Sequence, residues 1–276
     1  MPKMINVCIT RMDGKEEIAI EPKITGEQLL YKAAKTIDLR EIWFFGLQFI
    51  HRKGSTRWLG LKKKVISQDV KKESPLQFKL RVRFYPLDTE KELIQNITRK
   101  LFFLQVKEDI LSGNICCPPD IAELLTSCAE MYEQHNKEEA VIEYLKIAQG
   151  LEMFGVTYFE IKDKAGRELW LGVDLQGIKV YPKENRVTPT TRLRWNDMRN
   201  LSYSNKEFNI KLTDEKFPDL KYTLQYSHVT KSLLNLCLGN HSLCIRHETK
   251  SVDVQQLRAQ AREQSPWKKQ AKSALN

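Results

Sequence analysis

No run of apolar residues in this chain approaches the ~18 that a bilayer-crossing helix requires, which excludes a helical membrane span. The opening MPKMINVCITRMDG lacks the basic-then-apolar order of a secretory leader. The Asn-x-Ser/Thr sequons at Asn96, Asn200 and Asn240 therefore read as coincidences of sequence. No GxGxxG, GxxxxGK[ST], HExxH or GxSxG occurs, so nothing marks a dinucleotide site, a phosphate loop, a zinc protease or a serine hydrolase. The six cysteines (8, 116, 117, 128, 237 and 244) form no CxxC and join no His cluster at metal-ligand spacing. They read as reduced thiols acting mostly as small apolar fillers, with Cys116 and Cys117 in a loop before Pro118-Pro119. The five histidines (51, 135, 228, 241 and 247) are scattered. No enzymatic activity, metal or cofactor is expected.

What the chain does have is length, apolar content and cationic charge. Its 276 residues, 41% hydrophobic, suffice for one large domain or two to three small ones. The net charge of +10 favours an anionic partner, and it is unevenly spread. Residues 1–90 carry 18 Lys/Arg against 11 Asp/Glu, residues 91–150 carry 6 against 10, and residues 151–247 carry 15 against 11. Two basic pieces flanking an acidic one point to three units.

Hydrophobic spacing divides the chain in the same places. Ile5, Val7 and Ile9 alternate with polar residues, as do Ile18 and Ile20, Trp43 to Phe49, and Phe78 to Phe84, which is the period of half-buried strands. Between them Thr25-x-x-Gln28 forms a capping box ahead of Leu29, Leu30, Ala33, Ala34 and Ile37 at helical spacing. A small α+β roll of the ubiquitin-like or another β-grasp type is expected over 1–86. A second capping box, Thr89-x-x-Glu92, precedes a stripe of Leu93, Ile97, Leu101 and Leu104. Pro119 opens a second helix, and a third runs from about Glu138. This helical unit, 87–151, is small for an independent core and is expected to need its neighbours. From Thr157 short strands return, with a hairpin turn at Lys164-Ala165-Gly166. A closing helix follows, with Leu233, Leu234, Cys237 and Leu238 expected inward, giving a PH- or PTB-like sandwich over 152–247. Residues 248–276 continue as a polar helix and a Lys-rich tail expected to fray.

Several runs carry a family resemblance: LREIWFFGLQF (39–49), LFFLQVKEDIL (101–111), EYLKIAQGLEMFGVTYFEIKDKAGRELWLGVD (143–174), LCLGNH (236–241) and VQQLRAQARE (254–263). Together they resemble the FERM region of the ezrin–radixin–moesin–merlin family over nearly the whole chain. YSNKEF (203–208) and Glu184-Asn185-Arg186 lean toward merlin, while MPKMINV is closer to the other three. The branch stays open. The resemblance implies a cloverleaf of ubiquitin-like, acyl-CoA-binding-protein-like and PH-like lobes. It implies recruitment to the plasma membrane and cell cortex through phosphoinositides, and capture of the cytoplasmic tails of membrane proteins and of scaffold proteins. Measured against that pattern, about 60 residues of the helical lobe are missing between about Cys128 and Met131, so the lobe is expected to be destabilised. The chain ends at Asn276, short of the family's actin-binding tail, so an open module without direct actin binding is expected.

Two sites follow from the residues and the resemblance together. Lys62, Lys63 and Lys64 sit in a turn of the first lobe, where three ammonium groups suit a polyanionic head group. A solvated charge run is the plainer reading of the same residues. The family's basic cleft joins first and third lobes; Gly60 stands where relatives usually carry a lysine, and Arg246 remains from a cationic run after the closing helix. Two family Lys-Lys pairs are broken, as Lys206-Glu207 and Glu215-Lys216. The second site is a peptide groove between the fifth strand of the third lobe and its closing helix, able to accept a strand by edge addition. The residues assigned to it are Phe208, Ile210, Leu233, Leu236 and His241, each of which also has a core reading because alternating apolar positions normally face inward. Competing readings are a basic nucleic-acid-binding protein, for which no basic-aromatic interleaving is found, and a partly folded competitor of full-length relatives.

Overall fold

The alternation of Ile5, Val7 and Ile9 produces a strand buried on one side, and the rest of the first lobe is assembled around it. In the computed structural model, which describes residues 4–135 and 138–263, β1 (Ile5–Thr10) pairs antiparallel with β2 (Lys15–Ile20). It also pairs in parallel with β5 (Leu76–Val82), which borders β3 (Phe45–Ile50) and then β4 (Thr56–Trp58). The sheet order β2-β1-β5-β3-β4 with one helix, α1 (Gly26–Lys35), packed on it is a β-grasp arrangement. The α1 capping box is formed: Gln28 N–H donates to Thr25 Oγ1 (3.3 Å) and Thr25 N–H to Gln28 Oε1 (3.0 Å). Leu29, Leu30, Ala33 and Ala34 are buried against the sheet.

The helical lobe begins differently from the expectation. Thr89–Glu92 is a single turn, α2, capped by Asp88, whose Oδ1 accepts the Lys91 N–H (3.1 Å). The helical stripe is interrupted at Leu93–Gln95, and α3 runs from Asn96 to Leu111. The cause is tertiary. Buried Glu41 of the first lobe accepts the Ile94 N–H (3.1 Å) and the Gln95 N–H (2.8 Å), satisfying donors at the start of α3 from outside the helix. The helices α4 (Pro119–His135) and α5 (Glu138–Gln149) pack on α3, where Phe103 meets Tyr132 and Tyr144 edge-on.

The third lobe holds a seven-stranded antiparallel sheet in the order β10-β11-β12-β6-β7-β8-β9. Its strands are β6 (Thr157–Lys162), β7 (Glu168–Asp174), β8 (Gly177–Pro182), β9 (Thr191–Arg194), β10 (Met198–Ser204), β11 (Glu207–Leu212) and β12 (Leu220–Thr223). The β6–β7 turn is closed by Gly166 at φ +81° and by Asp163 Oδ1, which accepts the Ala165 and Arg167 N–H groups. One helix, α6 (Ser227–Glu263), covers the open end and includes the segment expected as a helical continuation; residues 264–276 lie outside the described residues. This mixed α+β architecture of three lobes is the one expected.

Candidate binding sites

The strand that borders α6 is β10, the edge of the sheet, and this relocates the predicted groove lining. Phe208 and Ile210 lie on β11, one strand inward, opposite Tyr203 and Leu201. Together with Leu233 and Leu236 they are buried in the third-lobe core, as their alternative core reading has it. Leu201 and Tyr203 share their sheet face but sit on the edge, where they stay half-buried and exposed respectively. On the helix, Leu234, Leu238 and His241 follow at i, i+4 and i+7 and so form one stripe. Leu238, expected inward, is 54% exposed. His241 is exposed, and its ring meets Trp195, just before β10, at 5.5 Å. Leu201 and Tyr203 on the edge strand and Leu234, Leu238 and His241 on α6 are thus the more accessible apolar and aromatic positions of these two elements, and of the predicted residues only His241 is exposed.

The residues predicted for the cationic site lie on two elements. Lys62, Lys63 and Lys64 are exposed on a turn whose backbone is fixed from two sides. Gly26 and Glu27 at the start of α1 donate their N–H groups to the carbonyls of Lys63 and Leu61 (both 2.9 Å). The Gln68 amide spans the turn, donating to Gly60 O (2.9 Å) and accepting from Gly60 N (2.7 Å). Arg246 is exposed on α6, 18 residues beyond His228, about 27 Å along the helix by its rise.

The contacts that join the first lobe to α6 run through other residues. The Phe84 ring lies against Gly239, where an added Cβ would come within 2.3 Å of Phe84 Cζ. Arg83 stacks over Trp58 (5.0 Å) and Phe84 (5.3 Å). Its Nε has no hydrogen-bond partner, and among the described residues it has no carboxylate at ion-pair distance. Burial pushes its pKa down to about 10. At the first turn of α6, His228 stacks on Tyr226 (5.5 Å) and is held below its ordinary pKa by burial, then by the charges of Arg57, His51 and Lys53. The first and third lobes thus meet at Phe84 and Gly239, and the charges of Lys53 and Arg57 reach His228 of α6.

Comparison with known proteins finds three family models along the chain. Models of the FERM N-terminal domain, the FERM central domain and the FERM C-terminal PH-like domain match residues 9–71, 88–133 and 163–252. The crystal structure of the FERM and C-terminal domain complex of Drosophila Merlin superposes with a TM-score of 0.84, at 33% identity, over 90% of this chain and 98% of that one. The chain belongs to the FERM family, of the ezrin–radixin–moesin–merlin type. Two structures of the MyTH4-FERM MF2 domain of Dictyostelium discoideum myosin VII share the FERM fold at 13% identity, with TM-scores of 0.66 and 0.65. They cover 85% and 83% of this chain, and it covers 61% and 57% of theirs.

Within this FERM module, sequence reasoning missed Lys53, Arg57, Arg83 and His228, because nothing in their spacing marks a shared surface. Lys53 and Arg57 flank the β3–β4 turn, and His228 is 171 residues from Arg57. For the groove a signal existed: Leu201 and Tyr203 belong to the fifth strand of the lobe, so counting strands points to them ahead of Phe208 and Ile210. The two lost Lys-Lys pairs have been absorbed into local ion pairs, Glu207 with Lys221 and Glu215 with Arg199, both at 2.8 Å.

Proposed function

We propose that this chain is a non-enzymatic membrane–cytoskeleton adaptor that docks on phosphoinositide head groups and captures cytoplasmic tails of membrane proteins. The coarse part follows from membership, since FERM homologues are membrane–cytoskeleton linkers associated with the cell cortex. Among the described residues no helix is long and apolar enough to cross a membrane, so attachment in this reading is peripheral. The observation that carries the finer part is the seam. Arg83 is a half-buried cation with no carboxylate partner among the described residues, and Lys53 and Arg57 of the same lobe lie near enough to His228 of α6 to lower its pKa. Buried charges are normally paired, so a multivalent anion is the natural complement of this cluster. The three exposed lysines 62–64 follow Trp58 by four to six residues and supply further cations for a charged leaflet.

Peptide capture in this reading uses the β10 edge, with the tail lying in the groove between Leu201 and Leu238. Flotation with liposomes containing or lacking phosphatidylinositol bisphosphate tests the lipid half. Each cation near an anionic surface contributes about 1 kcal/mol, so neutralising Lys53 and Arg57 lowers partitioning about thirtyfold. Lys63→Glu plus Lys64→Glu serves as the comparison. Binding that survives all of these changes, or that an oligonucleotide displaces as well as lipid does, would sink the phosphoinositide reading.

A further inference from the structure

Strand β9 is the other edge of the same sheet, and its surroundings differ from those of β10. Thr191–Arg194 pairs only with β8, so one row of its main-chain groups has no strand beside it among the described residues. The register sets Arg192 directly across from Lys179, with Arg194 two residues on and therefore on the same face. Ile178 and Val180 turn the opposite way, into the core. Like charges facing one another across a ladder are destabilising unless an anion offsets them. Asp174 does this for Lys179 (2.6 Å), and both of those side chains are largely buried. Arg192 and Arg194 are exposed, and no carboxylate stands at ion-pair distance from either among the described residues.

These two arginines border a cleft of about 420 Å³ between β8–β9 and α6. Among the described residues no acidic one lines it. The opposite wall is the helix, with His241 and the half-exposed Ile245, and Trp195 closes the floor. The Trp195 indole N–H is committed to Leu175 O (2.7 Å), so the cleft receives an apolar ring from it and no donor. A second cavity of about 270 Å³ shares Gln176, Lys179 and Arg192 with the first and reaches Tyr85 and Phe154, where the three lobes meet. Glu152 and Asp174 also line that second cavity, so the cationic edge gives way there to a junction of mixed charge between lobes, a common place for ligand sites.

We propose that the β9 edge and this cleft bind an extended acidic peptide whose carboxylates alternate with aliphatic side chains, at a site on the opposite sheet edge from the β10 groove that meets it only at His241. A strand added to β9 places every second side chain on the face of Arg192 and Arg194, at the ~7 Å repeat of a strand, and the intervening ones on the other. Bidentate arginine–carboxylate pairs then satisfy both guanidinium groups. A lipid head group fits less well, because it offers neither main-chain partners for the edge nor an aliphatic group for the wall at Ile245. This inference does not rest on the phosphoinositide or β10 readings.

The test is fluorescence anisotropy of the whole chain with a fluorescein-labelled (Glu-Val)4 peptide, alongside (Lys-Val)4 and inositol hexakisphosphate. The glutamate peptide is expected to bind and the lysine peptide not to. Arg192→Glu plus Arg194→Glu should weaken binding at least tenfold, and the milder Arg192→Gln plus Arg194→Gln several-fold with the circular dichroism unchanged. Leu201→Asp plus Leu238→Asp, which alters the β10 groove, should leave the affinity within twofold. Binding indifferent to both arginine pairs overturns the proposal, as does binding lost with the β10 variant. If charge reversal abolishes inositol hexakisphosphate binding and spares the peptide, the edge is a phosphate site and the proposal fails.

Discussion

The first lobe and the helical lobe share one continuous hydrophobic core, whereas the third lobe closes a core of its own. Phe102 of α3 shows how the sharing works. It is fully buried and lies edge-on to Phe44 (5.6 Å), Phe45 (5.8 Å) and Tyr85 (5.5 Å), all from the first lobe or its exit. Tyr85 meets Phe154 at 5.1 Å, so the aromatic chain continues past the helices. Polar contacts follow the same path. Gln105 of α3 exchanges hydrogen bonds with the end of β5, accepting from Val82 N (2.8 Å) and donating to Val82 O (3.1 Å), and Glu41 caps the start of α3. Among the described residues the third lobe meets the first at Phe84 against Gly239, with His228 of α6 within reach of the repelling charges of Arg57 and Lys53. A helical lobe this short is thus held by the surface it shares with its neighbour, since α4 buries only Leu125 and Ala129 completely enough to count as core.

The largest effect expected from this contrast comes from Phe102→Ala. Removing a fully buried phenylalanine costs about 3–5 kcal/mol. Because three first-lobe aromatics lose their partner at once, hydrogen exchange should accelerate together in β3, β5 and α3, while β6–β8 keep their protection. Loss confined to α3–α5 would show that the helical lobe has a core of its own and that the contrast is drawn wrongly.

A smaller change probes the seam. In most helix interiors Gly→Ala is stabilising by about 0.5–1 kcal/mol. At Gly239 the new Cβ meets the tip of the Phe84 ring at 2.3 Å, and overpacking of that kind costs about 1–3 kcal/mol. Gly239→Ala should therefore lower the melting temperature and raise exchange in β4 and the first turns of α6, with both cores intact. Partitioning onto phosphoinositide vesicles should fall in step. A stabilised Gly239→Ala variant would mean that the two lobes are free to part.

How much of this was legible in the sequence depends on how local each feature is. The α1 capping box, the start of α4 at Pro119, the start of α5 at Glu138 and the Gly166 turn are each set within four or five residues, and the one-dimensional pattern shows them. The break between α2 and α3 was illegible, because the donors that end one helix and start the next are satisfied by Glu41, more than fifty residues earlier. Leu238 illustrates a second limit. Helical spacing groups it with Leu234, yet whether that stripe meets core or solvent depends on β10 being an edge strand, which only the sheet order reveals. The candidate sites were the least legible part. Arg83 reads in the sequence as one of a regular alternation, and only the folded chain stacks it on Trp58 and Phe84 as a half-buried cation without a carboxylate partner among the described residues.

The smallest expected effect is one of pH, and it bears on the seam alone. His51 is buried and its pKa is lowered by that burial, then by Arg57, with Lys53 and Arg52 acting in the same direction and Asp69 opposing. His228 is lowered by burial, then by Arg57, His51 and Lys53. Both therefore stay neutral in the docked molecule at pH values where the same imidazoles in the unfolded chain have begun to take protons, near 6.5. In that window the unfolded chain binds more protons, so stability is complete above it and declines as the pH falls toward the lowered native values. The expected outcome is a melting temperature that drops between pH 7.5 and pH 6.0 in the native sequence and drops less in His228→Gln. Equal slopes in the two proteins would mean that the cations of the first lobe do not reach His228. An anion seated at the seam offsets the same repulsion, so inositol hexakisphosphate should flatten the slope of the native sequence and leave that of His228→Gln nearly unchanged.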